Sequence, residues 1–149
     1  MNERGPRAAS LGMPGHLIRR LHQVSTHIFS QRVREAGYDL TPVQFAALDV
    51  LRFSPGTDQA GLADAIAKDR ATTGSVIDRL EQKGLVARTV SGRDRRAREL
   101  TITEEGNRIV DAVLPVVERL QKEILPGLDD DEYRQFLALA AKAAKAPDL

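Results

Sequence analysis

The chain has 149 residues, 42% of them apolar, none of them cysteine, and a net charge of +1. That length supports one compact core, and the missing thiols exclude disulfides, thiol nucleophiles, iron–sulfur ligation, cysteine-based zinc sites and cysteine oxidation sensing within the chain. With no run of about 18 apolar residues and no apolar signal core between Met1 and Met13, a soluble, cytoplasmic chain without a membrane partner is expected.

Residues 1–13, with Gly5, Pro6 and Gly12, have the composition of a flexible tail. A first helix is predicted from Pro14, with Leu17, Leu21, Val24 and Ile28 on one stripe and Ile18, Phe29 and Val33 beside it, closed by Gly37. Thr41-Pro42-Val43-Gln44 supplies a cap, a first-turn proline and a back-reaching glutamine, so a second helix starts there and buries Phe45, Leu48 and Leu51. Asp58 caps a short third helix with Leu62, Ala63 and Ile66 inward, and Asp69 caps a fourth that ends at Gly84.

On that fourth helix Thr73, Val76, Ile77 and Leu80 form the inner face, while Ala71, Gly74, Ser75, Asp78 and Gln82 point outward with Thr72 and Arg79 at the margins. Leu85 to Val90 and Ala97 to Ile102 read as two short strands joined by a turn that begins at Ser91-Gly92. Thr103 caps a long fifth helix whose apolar side is Ile109, Val113, Leu114, Val117, Leu120 and Ile124, with a kink expected at Pro115. Asp129 and Glu132 open a last helix that is expected to bury Tyr133, Phe136, Leu137 and Ala140. The fold class is therefore mainly α with a small β-hairpin wing, a winged helix-turn-helix.

The small net charge conceals a strong asymmetry. Residues 68–98 hold nine basic and four acidic side chains, whereas residues 99–149 hold six basic and eleven acidic ones. A basic stretch concentrated on one helix and one hairpin is an electrostatic footprint for phosphate, because counterions released from the polyanion supply much of the affinity. The outer face of the fourth helix is short and polar, which lets a helix axis approach base edges in a major groove. Arg70, Thr72, Thr73, Ser75 and Arg79 are the candidate groove residues, Thr73 lying also on the inner side. Arg93, Asp94, Arg95, Arg96 and Arg98 are the candidates on the wing, where arginine suits a narrow minor groove or a phosphate and Asp94 would orient an arginine. Gly74 fits two readings equally, close approach to DNA or room for a neighbouring helix.

Residues Leu40 to Gly106 resemble the winged-helix core of the MarR family of bacterial transcriptional regulators. The resemblance is carried by Leu40-Thr41-Pro42-Val43-Gln44-Phe45, Gln59-Ala60-Gly61-Leu62-Ala63, the run from Asp78 to Val86, Asp94-Arg95-Arg96 and the run from Leu100 to Gly106. It implies a DNA-binding domain over residues 40–103 and a helical dimerisation region over residues 14–39 and 104–146. It further implies a homodimer on a pseudo-palindromic duplex, a wing arginine at Arg96 paired with Asp94, and a small anionic or phenolic effector where the two regions meet. Ser75 stands where the family often has a larger polar residue, so base preference does not carry over.

The three histidines, His16, His22 and His27, are spaced by six and five residues, which does not suit a metal pair on a helix. Arg19, Arg20 and His27 are instead the candidates for holding an effector carboxylate. Neither a phosphate-cradling glycine loop, nor a nucleophile with its base, nor a pair of catalytic carboxylates is present, since Asp129, Asp130 and Asp131 fit a helix cap; no enzyme activity and no cofactor are expected. The competing function is a winged-helix protein-interaction module without sequence-specific DNA binding.

Overall fold

The computed structural model describes residues 7–90 and 98–145. The elements run α1 (Pro14–Glu35), α2 (Pro42–Phe53), α3 (Gln59–Ala65), α4 (Arg70–Gln82), β1 (Val86–Val90), β2 (Arg98–Ile102), α5 (Glu104–Glu123) and α6 (Asp130–Ala143). This is the mainly α architecture with a hairpin wing that the patterning predicts. One addition is a 3-10 turn at Ala9–Gly12, inside the stretch whose composition predicts no regular structure.

Local chemistry places the helix starts. Thr41 Oγ1 accepts from the Gln44 N–H at 3.1 Å while Gln44 Oε1 accepts from the Thr41 N–H at 3.2 Å, closing a reciprocal cap on α2. Asp58 accepts from the Gly61 N–H at 2.7 Å, and Asp129 with Glu132 repeats the reciprocal cap on α6. The helix ends are equally defined. After α1 and α4, Gly37 and Gly84 adopt φ of +90° and +76°, and the following N–H groups reach back to Val33 and Leu80. The turn between α3 and α4 has the same hydrogen bonds, Lys68 N–H to the Ala63 carbonyl and Ala67 N–H to that of Asp64, yet its left-handed residue is Ala67 at φ +56°. An alanine is strained there by about 1 kcal/mol or more.

The core gathers Val33 from α1, Leu48 and Leu51 from α2, Leu62 from α3, Ile77 and Leu80 from α4, Leu100 from β2, and Val110, Val113 and Leu120 from α5, all fully buried. Burial of each contributes about 1.5–3 kcal/mol. On α5 the inward positions are Gly106, Val110, Val113, Val117 and Leu120, while Ile109, Leu114 and Ile124 are only half-buried. The helix is continuous through Pro115, whose ring faces solvent. β1 and β2 pair antiparallel with Val86 opposite Ile102 and Val90 opposite Arg98, and Thr57 adds an isolated bridge to Leu100.

Two faces depart from expectation. No residue of α6 is buried: Tyr133, Phe136 and Ala140 are half-covered, and Leu137 is 49% exposed with Leu139 at 65%. Likewise Leu17 and Ile18 at the start of α1 remain exposed, and only Phe29 and Val33 of that helix are buried. The apolar periodicity is real on both helices, but within one chain nothing among the described residues covers it.

α5 leaves the hairpin by a tight junction. The Thr103 hydroxyl donates to the Gly84 carbonyl at 2.7 Å and accepts the Gly106 N–H at 3.1 Å, while the Thr103 N–H donates to the Leu85 carbonyl at 3.0 Å. A Cβ on Gly106 would stand 2.3 Å from the Leu85 carbonyl oxygen and 2.6 Å from Ile102 Cγ1, contacts that backbone and a buried side chain cannot relieve cheaply. Gly106→Ala is therefore expected to destabilise the fold by about 1–3 kcal/mol in chemical denaturation, whereas Gly127→Ala, with nothing within 4 Å of its added Cβ, leaves stability unchanged. Ala67→Gly removes the left-handed strain, and the same measurement should show a gain of roughly 0.5–1 kcal/mol.

Candidate nucleic-acid interface

The N-terminus of α4 is held by Asp69. Its carboxylate accepts the Thr72 N–H at 2.7 Å and the Thr72 hydroxyl at 2.8 Å. These two bonds, the N–H first and the hydroxyl second, hold the Asp69 carboxyl below its ordinary range. Because the folded value is depressed, the cap stabilises α4 above the usual aspartate range and is lost as acid protonates it. Thr72 is thus oriented before any ligand arrives, its hydroxyl proton committed to the cap and its oxygen free to accept.

Arg70, Thr72, Ser75 and Arg79 are exposed along α4. The Ser75 hydroxyl donates to the Ala71 carbonyl at 3.3 Å, keeping its oxygen outward. Thr73 belongs elsewhere. It is fully buried, and its hydroxyl donates back to the Asp69 carbonyl at 2.8 Å, so it belongs to the inner face alone and not, as expected, to the set presented to a groove. For Gly74 the structure favours the packing alternative: an added Cβ would lie 3.0 Å from Gln59 Nε2, and that amide donates to the Arg70 carbonyl at 3.1 Å. The absent side chain lets α3 brace the first turn of α4.

On the wing, Arg98 opposes Val90 at the outermost described rung of the hairpin and is exposed. Arg93, Asp94, Arg95 and Arg96 lie outside the described residues. Where the hairpin meets the helix pair, an open cleft of about 390 Å³ is lined by Asp58, Gln59, Arg70, Arg88, Arg98 and Leu100. Arginines from α4, β1 and β2 therefore border one concavity, the guanidinium of Arg88 being bonded to acids on α4.

Arg88 has no sequence signature of its own. It is tied to α4, with Nη2 2.6 Å from Asp78 and Nη1 3.3 Å from Glu81. The available hint was Asp78 on the outward face, with Glu81 three residues on, two acids on a helix otherwise fit for phosphate.

The effector candidates separate. Arg19 and Arg20 line an open groove of about 680 Å³ with His16, Ile18, His22 and Gln23, every one of them on α1. His27 is exposed and does not line it. A second cavity of about 270 Å³ lies between α1, α5 and α6, where His22, Ser25 and Gln121 meet Tyr133, Phe136 and Leu137. His22 borders both spaces, a role its lone position in the sequence did not signal. Among the described residues no cluster of three or more potential metal ligands occurs, and no helix is long and apolar enough to cross a membrane.

A MarR family model matches residues 38–97, the span from the end of α1 into the wing. The transcriptional regulator HosA of Escherichia coli O111:H- is 30% identical over 131 residues, which cover 88% of this chain and 94% of HosA. The HTH-type transcriptional repressor NicR of Pseudomonas putida is 33% identical over 86% of this chain and 80% of its own length. Among solved structures, BpsR of Bordetella bronchiseptica, whose DNA binding is regulated by 6-hydroxynicotinic acid, superposes with a TM-score of 0.86 at 31% identity, covering 96% of this chain and all of that one. Near-complete coverage by these relatives, together with the close superposition of the fold, makes the chain a member of the MarR family of winged-helix transcriptional regulators.

Proposed function

We propose that the chain works as a homodimeric repressor that binds a pseudo-palindromic duplex and is released by a small aromatic or phenolic acid. The observation that carries the DNA reading is the outer face of α4: Thr72 and Ser75 present oxygen atoms on a helix with no bulky outward side chain between Arg70 and Arg79. In the sequence Arg93, Arg95 and Arg96 precede Arg98 and add to the basic run, and the family resemblance would pair Asp94 with Arg96. The regulators to which the chain is similar, NicR named as a repressor among them, support the same reading.

The uncovered apolar residues support the dimer reading. Leu17 and Ile18 on α1 and Leu137 and Leu139 on α6 are exposed in one chain, and a second copy offering the same helices would cover them by two-fold symmetry. Two reading helices would then meet successive major grooves, about 34 Å apart. The effector seat is the Arg19–Arg20 groove. One helix cannot enclose a ligand, so the partner copy or α6 supplies the second wall, and His22 connects the groove to the aromatic cavity. The DNA binding of BpsR, regulated by 6-hydroxynicotinic acid, supports an acid of that type. Its mechanism is a population shift: an effector that prefers a dimer with misplaced reading helices lowers DNA affinity by its own difference in affinity for the two states.

Selection of duplexes from a randomised library by the purified protein should enrich inverted half-sites, and lengthening their spacing by half a helical turn should abolish high-affinity binding. Affinity that ignores spacing would reject the dimer on DNA, and affinity that ignores salt would favour the protein-interaction module. Arg79→Ala should weaken binding to the selected duplex by about 1–3 kcal/mol if it reaches a base, with unchanged thermal stability. For the dimer face, Leu137→Glu should shift sedimentation toward the monomer; a fully dimeric variant would place the interface elsewhere. Arg19→Ala with Arg20→Ala should remove the response of the protein–DNA complex to a panel of hydroxylated aromatic acids while leaving operator affinity intact.

A further inference from the structure

The outward side of α4 carries a chemical contradiction. Asp78 stands three residues beyond Ser75, one helical turn on and on the same side, and Glu81 follows it by three more. Side chains of both are well exposed, at 61% and 44%. A carboxylate held there would meet the phosphate rails of any duplex that α4 enters, and juxtaposed like charges cost several kcal/mol when an interface closes. The helix is nevertheless the element best suited to a groove.

Arg88 resolves the contradiction. Its guanidinium reaches from β1 to Asp78 at 2.6 Å and to Glu81 at 3.3 Å, spanning the two acids with one planar fork. The arginine side chain is only 21% exposed, so this pair is screened less by salt than pairs in open solvent. It also sits at the edge of the cleft shared with Arg70 and Arg98. Of those three arginines, Arg88 is the one whose charge is already spent on α4. The link further joins the base of the wing to the reading helix, so the two parts that would touch DNA are held in one relative orientation.

We propose that Arg88 is a positioning residue of the DNA interface: it neutralises Asp78 and Glu81 so that α4 can approach a polyanion, and it does so without itself gripping phosphate. The proposal rests on the reading of α4 as the groove helix. Its consequence is that DNA affinity depends on Arg88 only while the two carboxylates are present.

The test is a mutant cycle with a duplex enriched by the wild-type protein from a randomised library, followed by fluorescence anisotropy. Arg88→Gln should weaken binding by about tenfold or more at low salt, with a defect that shrinks as salt rises. Asp78→Asn with Glu81→Gln, Arg88 being kept, should bind at least as tightly as wild type. Adding those two changes to Arg88→Gln should restore affinity to within about threefold of wild type, the signature of a coupled set rather than additive losses. Thermal unfolding of each variant separates a charge effect from a folding defect, and Arg88→Lys, which keeps the cation without the fork, should lose less affinity than Arg88→Gln. Should the triple variant bind as poorly as Arg88→Gln, the arginine acts on the DNA directly and the masking role is overturned; an Arg88→Gln protein with wild-type affinity overturns it as well. A wild-type chain that enriches no duplex overturns this proposal and the DNA reading together, whereas either of the former results overturns this proposal alone.

Discussion

The structure turns on the contact between the first turn of α5 and the peptide that ends α4. Thr103 grips the Gly84 and Leu85 carbonyls, and Gly106 lets the helix backbone come in where no Cβ fits. A carbonyl just past a helix end needs a donor, and here the donors belong to the cap of the next long helix. One set of hydrogen bonds therefore completes α4, starts α5 and closes the hairpin between them. Because packed interiors move as units rather than deforming smoothly, a tilt of α5 has to be passed to α4 and the wing. Under the proposed function, that is the mechanical requirement for a regulator whose assembly helices and reading helix would lie in different parts of the chain.

Electrostatics adds a second layer on the same frame. The basic surplus between residues 68 and 98 is not spread evenly. Part of it is consumed internally: Arg88 is paired to Asp78 and Glu81, and Lys83 donates to the Asp39 carbonyl at 2.6 Å, fastening the end of α4 to the loop between α1 and α2. Arg70 and Arg79 stay on the surface. A count of charges finds the right segment, but only geometry separates cations that hold the scaffold from those left for a partner.

Much of the fold was legible because its signals are local. Thr41 with Gln44, Asp58, Asp69, Thr103, and Asp129 with Glu132 each act within three residues of themselves, and each begins a helix where its chemistry says it should. The inner face of α4 was equally readable, Thr73 included: its hydroxyl is satisfied within its own turn and so tolerates complete burial, which removes it only from the groove candidates. What the sequence did not disclose depends on partners distant along the chain. Arg88 finds its acids across ten and seven residues, a Cβ at Gly74 would crowd the Gln59 amide, and Gly106 owes its identity to the Leu85 carbonyl. Periodicity identified the apolar stripe of α6, but periodicity says only that a face is oily, not which molecule covers it. The left-handed turn at Ala67 also went unsignalled, since alanine is a poor marker for that conformation.

Under the proposed dimerisation, the bare leucines and isoleucine on α1 and α6 would make abundance itself a variable. If two copies must meet before both half-sites are engaged, promoter occupancy rises with the square of monomer concentration while the protein is scarce, then levels off once pairing is complete. A cell could then silence a gene sharply by modest overproduction of the protein, and newly made chains would spend their first moments exposed to proteases and chaperones until they meet a sibling.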